Sequence, residues 1–142
     1  MTLQDGEIFS IVNAKSGTVM DLSATDGHSV IGWTHHGGEN QQWRALQRDN
    51  HWFFKNVDTG LYLGVADHPM INSTPVVGVH EAFAWDVFPD EEDQSAHRLY
   101  VPGNSSAMNV ELSDHGNDAD GTPVQLWGNW RGENQRWRFK AV

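Results

Sequence analysis

The sequence predicts an all-β domain assembled from three repeats of four short strands, and three observations carry that expectation. The stretch Val30-Ile31-Gly32-Trp33-Thr34-His35-His36-Gly37-Gly38-Glu39-Asn40-Gln41-Gln42-Trp43 recurs near the end of the chain as Val124-Gln125-Leu126-Trp127-Gly128-Asn129-Trp130-Arg131-Gly132-Glu133-Asn134-Gln135-Arg136-Trp137. Aligned without a gap, the two share the leading Val, the first Trp, Gly-Glu-Asn-Gln and the closing Trp. A weaker copy lies between them, where Thr74-Pro75-Val76-Val77 echoes Thr122-Pro123-Val124-Gln125 and Trp85 takes the place of Trp43 and Trp137. Second, the closing tryptophans are 42 and 52 residues apart, near a third of the 142-residue chain, so three units at about 6–48, 49–94 and 95–142 tile a single domain. Third, 14 Gly, 5 Pro and many Asn, Asp and Ser cut the chain into short pieces. No segment sustains a 3.6-residue period.

Within each unit the same four apolar runs recur. The first unit has them at 8–12, 19–22, 30–33 and 43–46, the second at 52–54, 61–65, 76–79 and 85–88, the third at 99–101, 108–112, 124–127 and 137–139. Each is short, rich in β-branched and aromatic residues, and bounded by Gly, Asn, Asp or Pro, which is how strands read.

Bulk properties exclude several classes. With 9 basic and 19 acidic residues the net charge is −10, the wrong sign for neutralising phosphates or an anionic lipid surface. No run is long and apolar enough to span a bilayer. The first residues lack the basic, then apolar pattern of a secretion signal. Cysteine is absent, so no disulfide braces the fold and a cytoplasmic location is expected. The sequons at Asn72 and Asn104 then read as polar turns.

Gln41-Gln42-Trp43 and Gln135-Arg136-Trp137, with Phe83-Ala84-Trp85 keeping only the Trp, resemble the Gln-x-Trp repeats of the ricin-B-type lectin family, and more closely its cysteine-free fungal members. The resemblance covers essentially the whole chain. It implies a β-trefoil, a short six-stranded barrel capped by three hairpins, and a non-catalytic carbohydrate-binding function without a cofactor. It points to terminal galactose or N-acetylgalactosamine, including N-acetyllactosamine-like and LacdiNAc-like disaccharides on glycoproteins or glycolipids. It also points to a defence role against organisms that eat fungi.

A sugar offers vicinal hydroxyls, each donor and acceptor, and a face of C–H groups. A carboxylate with a carboxamide can clamp the hydroxyls, and an exposed ring can cover the apolar face. The first unit supplies Asp21, Trp33, His35, His36, Asn40 and Gln41. By the resemblance, Asp21 and Asn40 are the clamp and Gln41 orients it, while the stacking ring is Trp33, His35 or His36. Gly37 and Gly38 would let the backbone approach a ligand. Asp21 could instead satisfy a turn, but its companions favour the sugar role. In the third unit Asn109 stands where Asp21 stands, the following loop is about six residues longer, and Trp127, Trp130, Asn134 and Gln135 are in place. A weaker or differently selective site is expected there, because Asn loses the charge-assisted bond. The middle unit has Ala82-Phe83 for Asn-Gln and Gly64 or Leu63 for Asp, and is expected to be structural. Trp43, Trp85 and Trp137 recur even where their neighbours change, which is core behaviour.

Other classes fit less well. No acid–base pair repeats, so catalysis is not expected. Adjacent His35 and His36 on a strand would point apart, and 116–121 lacks the first Asp and twelfth Glu of a calcium loop, so no metal is expected. A protease inhibitor acting through the loop around His68-Pro69-Met70 or the acidic run 90–93, read here as a solvated connection, is the alternative. Homodimerisation or a second working unit would raise a weak single-site affinity through avidity.

Overall fold

A computed structural model describes residues 3–66, 69–103 and 107–142; Asn104 and His68 lie outside them. Among these residues twelve strands form one all-antiparallel system. The first unit contributes β1 (Ile8–Asn13), β2 (Val19–Leu22), β3 (Val30–Trp33) and β4 (Trp43–Arg48). The second contributes β5 (His51–Asn56), β6 (Tyr62–Val65), β7 (Val76–Val79) and β8 (Asp86–Pro89). The third contributes β9 (His97–Tyr100), β10 (Met108–Leu112), β11 (Thr122–Gly128) and β12 (Trp137–Ala141). Each expected apolar run overlaps one of these strands, with Leu61, Trp85 and Val101 falling just outside β6, β8 and β9. Several strands outrun their apolar run because the hairpins pair to their tips: β4 and β5 stay in register to Arg48↔His51. The two-residue turn between them, Asp49-Asn50, has both φ angles positive, at 52° and 65°, which matches the twist of a tight hairpin.

Strands β1, β4, β5, β8, β9 and β12 close a barrel. Neighbouring pairs are joined by ladders, and β5 meets β8 through the Trp52↔Trp85 bridge, whose two backbone N–H groups donate reciprocally at 2.9 and 2.8 Å. Closure leaves no free sheet edge in the barrel. The hairpins β2–β3, β6–β7 and β10–β11 cap it and touch one another in a ring, at Thr122↔Gly32, Ser29↔Val77 and Pro75↔Gln125. This is the β-trefoil.

Trp43, Trp85 and Trp137 are fully buried with Phe9, Ile11, Phe54, Leu99 and Phe139 around them. Each indole N–H donates to a backbone carbonyl on the second strand of its own unit: Met20, Leu63 and Val110, at 3.0, 2.9 and 3.0 Å. A buried indole that lost this partner would carry a desolvation cost, so the bond locks each closing strand to its hairpin. These three bonds also define which residues of the three units are structurally equivalent.

Candidate functional site

In β2, Met20 and Leu22 face the core, so alternation turns Asp21 to the opposite face, with Ile31 and Trp33 across the ladder. The segment after β3 folds back over that face through a 3-10 turn at Glu39–Gln41. It brings Asn40 and Gln41 onto Asp21: Asn40 Nδ2 donates to Asp21 Oδ1 at 3.0 Å and to the Leu22 carbonyl at 3.2 Å. Gln41 Nε2 donates to Asp21 Oδ2 at 2.9 Å and to the Thr34 carbonyl at 3.0 Å. The Gln41 Oε1 accepts from the backbone of His36 and Gly37. His36 Nδ1 accepts from Gly38 N–H at 2.9 Å, which fixes the tautomer carrying its proton on Nε2; that atom lies 3.8 Å from Asp21 Oδ2. A Cβ at Gly38 would stand 2.7 Å from the His36 ring, so glycine keeps the imidazole in place. Trp33 is 37 % exposed beside this cluster, and His35 projects from the surface.

Burial pushes the Asp21 carboxyl above the usual carboxylate range, although Gln41, His36 and Asn40 all favour its charged form. A carboxylate held at such a cost, with lone pairs remaining after two amide bonds, is an acceptor in search of donors.

Asp120 completes this site from another unit. Its Oδ1 accepts from the Thr34 N–H at 2.7 Å and the Thr34 hydroxyl at 2.8 Å, and so braces the residue whose carbonyl holds Gln41. Its charge also opposes ionisation of Asp21. Nothing in the sequence linked positions 34 and 120; the contact exists because β11 pairs with β3.

In the third unit the expected register is corrected. Because Trp137 bonds to Val110 as Trp43 bonds to Met20, Glu111, and not Asn109, stands in the place of Asp21. Its Oε1 accepts from Gln135 Nε2 at 3.0 Å, Asn134 Nδ2 at 3.4 Å and Trp130 Nε1 at 3.4 Å, and its Oε2 from Gln125 Nε2 at 2.9 Å. A two-residue slip keeps the inward and outward faces of a strand, so alternation could not expose the error. A readable signal existed: Asp21-Leu22-Ser23 matches Glu111-Leu112-Ser113. Asn109 is fully buried, donating to the Trp127 carbonyl and Gln135 Oε1 and accepting from Arg98.

Trp130 occupies the place of His36, its N–H donating to Gln135 Oε1 as His36 N–H does to Gln41, and it is 42 % exposed. A cavity of about 260 Å³ opens beside Glu111, lined also by Gln125, Trp127, Trp130, Asn134, Asp114 and His115. The last two belong to the inserted loop, where both adopt left-handed φ angles, 52° and 54°, a strained state for such residues.

Arg98 binds this unit together. It donates to Gln135 Oε1 at 2.7 Å, the Trp130 carbonyl at 2.8 Å and Asp90 Oδ1 at 2.6 Å. Arg136 Nε sits 3.1 Å from Asp90 Oδ2, close enough to attract though not aligned as a hydrogen bond. The acidic run 90–93 is therefore not a freely solvated connection: Asp90 is buried, Glu92 pairs with Arg131 and Arg136, and Asp93 with Arg138. Burial opposes ionisation of Asp90, but Arg98 and the N–H groups of Glu92 and Asp93 outweigh it and hold the carboxyl below its usual range.

Among the described residues the middle unit has no such site. Gly64 stands at the carboxylate position, since Trp85 bonds to Leu63. A Cβ there would meet Val79 at 2.6 Å and Phe83 at 2.9 Å, so the space of the clamp is filled by apolar atoms. Among the described residues no three metal-capable side chains converge, and no helix is long and apolar enough to cross a membrane.

A closed trefoil with a buried carboxylate clamped by an Asn-Gln pair in two of three units is the architecture of a carbohydrate-binding module. The family model of ricin-type β-trefoil lectin domain-like proteins matches residues 2–79 and 40–127, and the chain belongs to that family of non-catalytic, carbohydrate-binding proteins. Among solved structures, a ricin B-like lectin of Macrolepiota procera in complex with lactose is 37 % identical over 100 % of both chains, with a TM-score of 0.95. The Rhizoctonia solani agglutinin is 28 % identical over 100 % of this chain and 99 % of its own, with a TM-score of 0.87. A designed threefold-symmetric protein, ThreeFoil, shares the fold at 23 % identity and a TM-score of 0.84, covering 95 % of this chain and 99 % of its own. No curated protein matches.

Proposed function

We propose that the protein recognises terminal galactose or N-acetylgalactosamine, as in N-acetyllactosamine-like and LacdiNAc-like disaccharides of glycoproteins and glycolipids. The first unit is the principal site and the third a second, differently selective one. In the first unit Asp21 accepts from two vicinal hydroxyls, His36 Nε2 addresses the same hydroxyls as a donor and Asn40 Oδ1 as a further acceptor, both Asn40 amide hydrogens being given to Asp21 and Leu22, and Trp33 covers the C–H face. In the third, Glu111, Asn134, Trp127 and Trp130 take the corresponding parts. The observation that carries the reading is Asp21: buried and ionised only at a cost, yet held by two amides and left with acceptor capacity. The lactose in the Macrolepiota procera lectin, 37 % identical to this chain, supports the sugar class.

Reversible recognition follows, with about millimolar affinity for one monosaccharide. Useful binding then comes from two working units or a homodimer. A role in defence and a cytoplasmic location complete the proposal; the absence of cysteine is in keeping with the latter. Titration calorimetry with lactose tests the core of it. Asp21→Ala is expected to weaken the first site by about 100-fold, the worth of two charge-assisted bonds, while the melting temperature hardly moves. Asn40 and Gln41 each keep a backbone acceptor in that variant. Undiminished lactose affinity in the folded variant would refute the assignment.

A further inference from the structure

The third unit has a larger hollow on the far side of Trp130. A cleft of about 670 Å³ is lined by Trp130, Phe88, Tyr100, Asn129, Glu91 and Arg131, among others. Trp130 also lines the smaller cavity at Glu111, so the two hollows share this residue. The cleft arises where β8 pairs with β9, which sets Asp86 opposite Tyr100 and Phe88 opposite Arg98, and where the segment holding Asn129 and Trp130 is drawn down onto Arg98.

Its chemistry suits a carbohydrate. Phe88 is 55 % exposed, unusual for a phenylalanine on a strand, and its ring centroid is 6.1 Å from that of Tyr100. Two tilted aromatic rings in an open cleft offer a surface for C–H faces of pyranoses. Asn129 Nδ2 donates to the Tyr100 hydroxyl at 2.6 Å, which places an amide and a phenol at the rim for hydroxyl contacts. The charge is selective as well. Both lining arginines are already paired, Arg98 with Asp90 and Arg131 with Glu92, while Glu91 is exposed and Asp86 lies 2.8 Å from His51. That balance favours a neutral sugar over a carboxylated or sulfated one.

We propose that this cleft is an extension subsite, holding the third and later residues of a neutral oligosaccharide whose terminal residue sits beside Glu111. The proposal rests on reading the third unit as a sugar site. It makes the two units different in kind: the first reads a terminal residue, and the third reads a longer chain across Trp130.

The test uses the Asp21→Ala protein, in which the third unit acts alone, titrated with lactose and with a neutral tetrasaccharide ending in β-galactose. Amide and indole NMR signals report where each ligand lies. The tetrasaccharide is expected to bind about tenfold more tightly than lactose and, unlike lactose, to shift the signals of Phe88, Tyr100 and Asn129. Phe88→Ala should erase that gain without changing lactose affinity, and Phe88→Trp should keep it. A sialylated counterpart of the tetrasaccharide should lose most of the gain. If the tetrasaccharide binds no better than lactose and shifts only signals around Glu111, the subsite is wrong and the third-unit site stands. If neither ligand shifts any third-unit signal while wild type still binds lactose, the third-unit reading falls and takes the subsite with it, leaving the first unit as the lectin site.

Discussion

The first and third units close on the same Glu-Asn-Gln before a tryptophan, yet they hold their carboxylates by different means. In the first, Asp21 has two amide donors and a nearby imidazole N–H, and its frame is braced from outside by Asp120. In the third, the longer Glu111 meets four donors, two of them at 3.4 Å, and the frame is braced from inside by Arg98 and Asp90. One consequence is that Asp21 has more acceptor capacity left for a ligand than Glu111. Another is that the third unit's polar frame belongs to the buried interior, whereas the first unit's brace lies in water. The middle unit shows the third outcome of the same scaffold, where Phe83 fills the space and the clamp disappears. A repeated backbone can thus carry a ligand site, a braced variant of it, or a plug, because the closing tryptophan secures each unit independently of what fills its outer face.

The contrast between an inner and an outer brace can be broken experimentally. The largest effect is expected from Arg98→Ala, which strands Asp90 without its principal partner and leaves Gln135 Oε1 and the Trp130 carbonyl short of a donor. Removing one side of a buried ion pair costs about 3–5 kcal/mol, readable in chemical denaturation. Lactose affinity of the first unit, measured where the variant is still folded, should be unchanged; a matching loss there would show the braces to be coupled. Asp120→Ala is the reciprocal experiment with a smaller effect. Loss of the two bonds to Thr34 should weaken lactose binding by the first unit about two- to tenfold with little change in melting temperature, and Asp120→Asn, which keeps an acceptor, should recover most of it.

The smallest and most diagnostic effect is in pH. Burial raises the Asp21 pKa, and only the ionised carboxylate accepts from two hydroxyls. Lactose binding should therefore fall on acidification at a pH above the ordinary carboxylate range, and bound sugar should move that midpoint downward. For stability the sign is opposite: a group whose pKa is raised on folding contributes stability that is lost as pH rises through the folded value, so ionised Asp21 weakens the fold slightly at neutral pH. Asp90, with a lowered pKa, contributes in the other direction, and its stability is lost only as pH falls through the low folded value. A calorimetric pH series on wild type and Asp21→Ala separates the two.

The repeat, the strand positions and the Asn40-Gln41 pair were legible in the residues because they depend on local order: alternation, turn chemistry and a tryptophan at a recurring place. Asn109 was misplaced because β-strand periodicity is blind to a shift of two, and only the Trp137 indole bond to Val110 sets the register that puts Glu111 in the site. The 116–121 segment was read by itself, so Asp120 had no partner until β11 came to lie beside β3. The acidic run 90–93 looked solvated because charge patterning along the chain does not reveal that Arg98 and Arg136 converge on Asp90 from β9 and from the residue just before β12. The amino-acid order thus specifies the trefoil and the composition of its first site, through interactions that span a few residues. Which carboxylate faces the third site, what braces each clamp, and the cleft beyond Trp130 depend on groups from separate strands, as far apart in sequence as Thr34 and Asp120, and these meet only when the barrel closes and the hairpins ring its end.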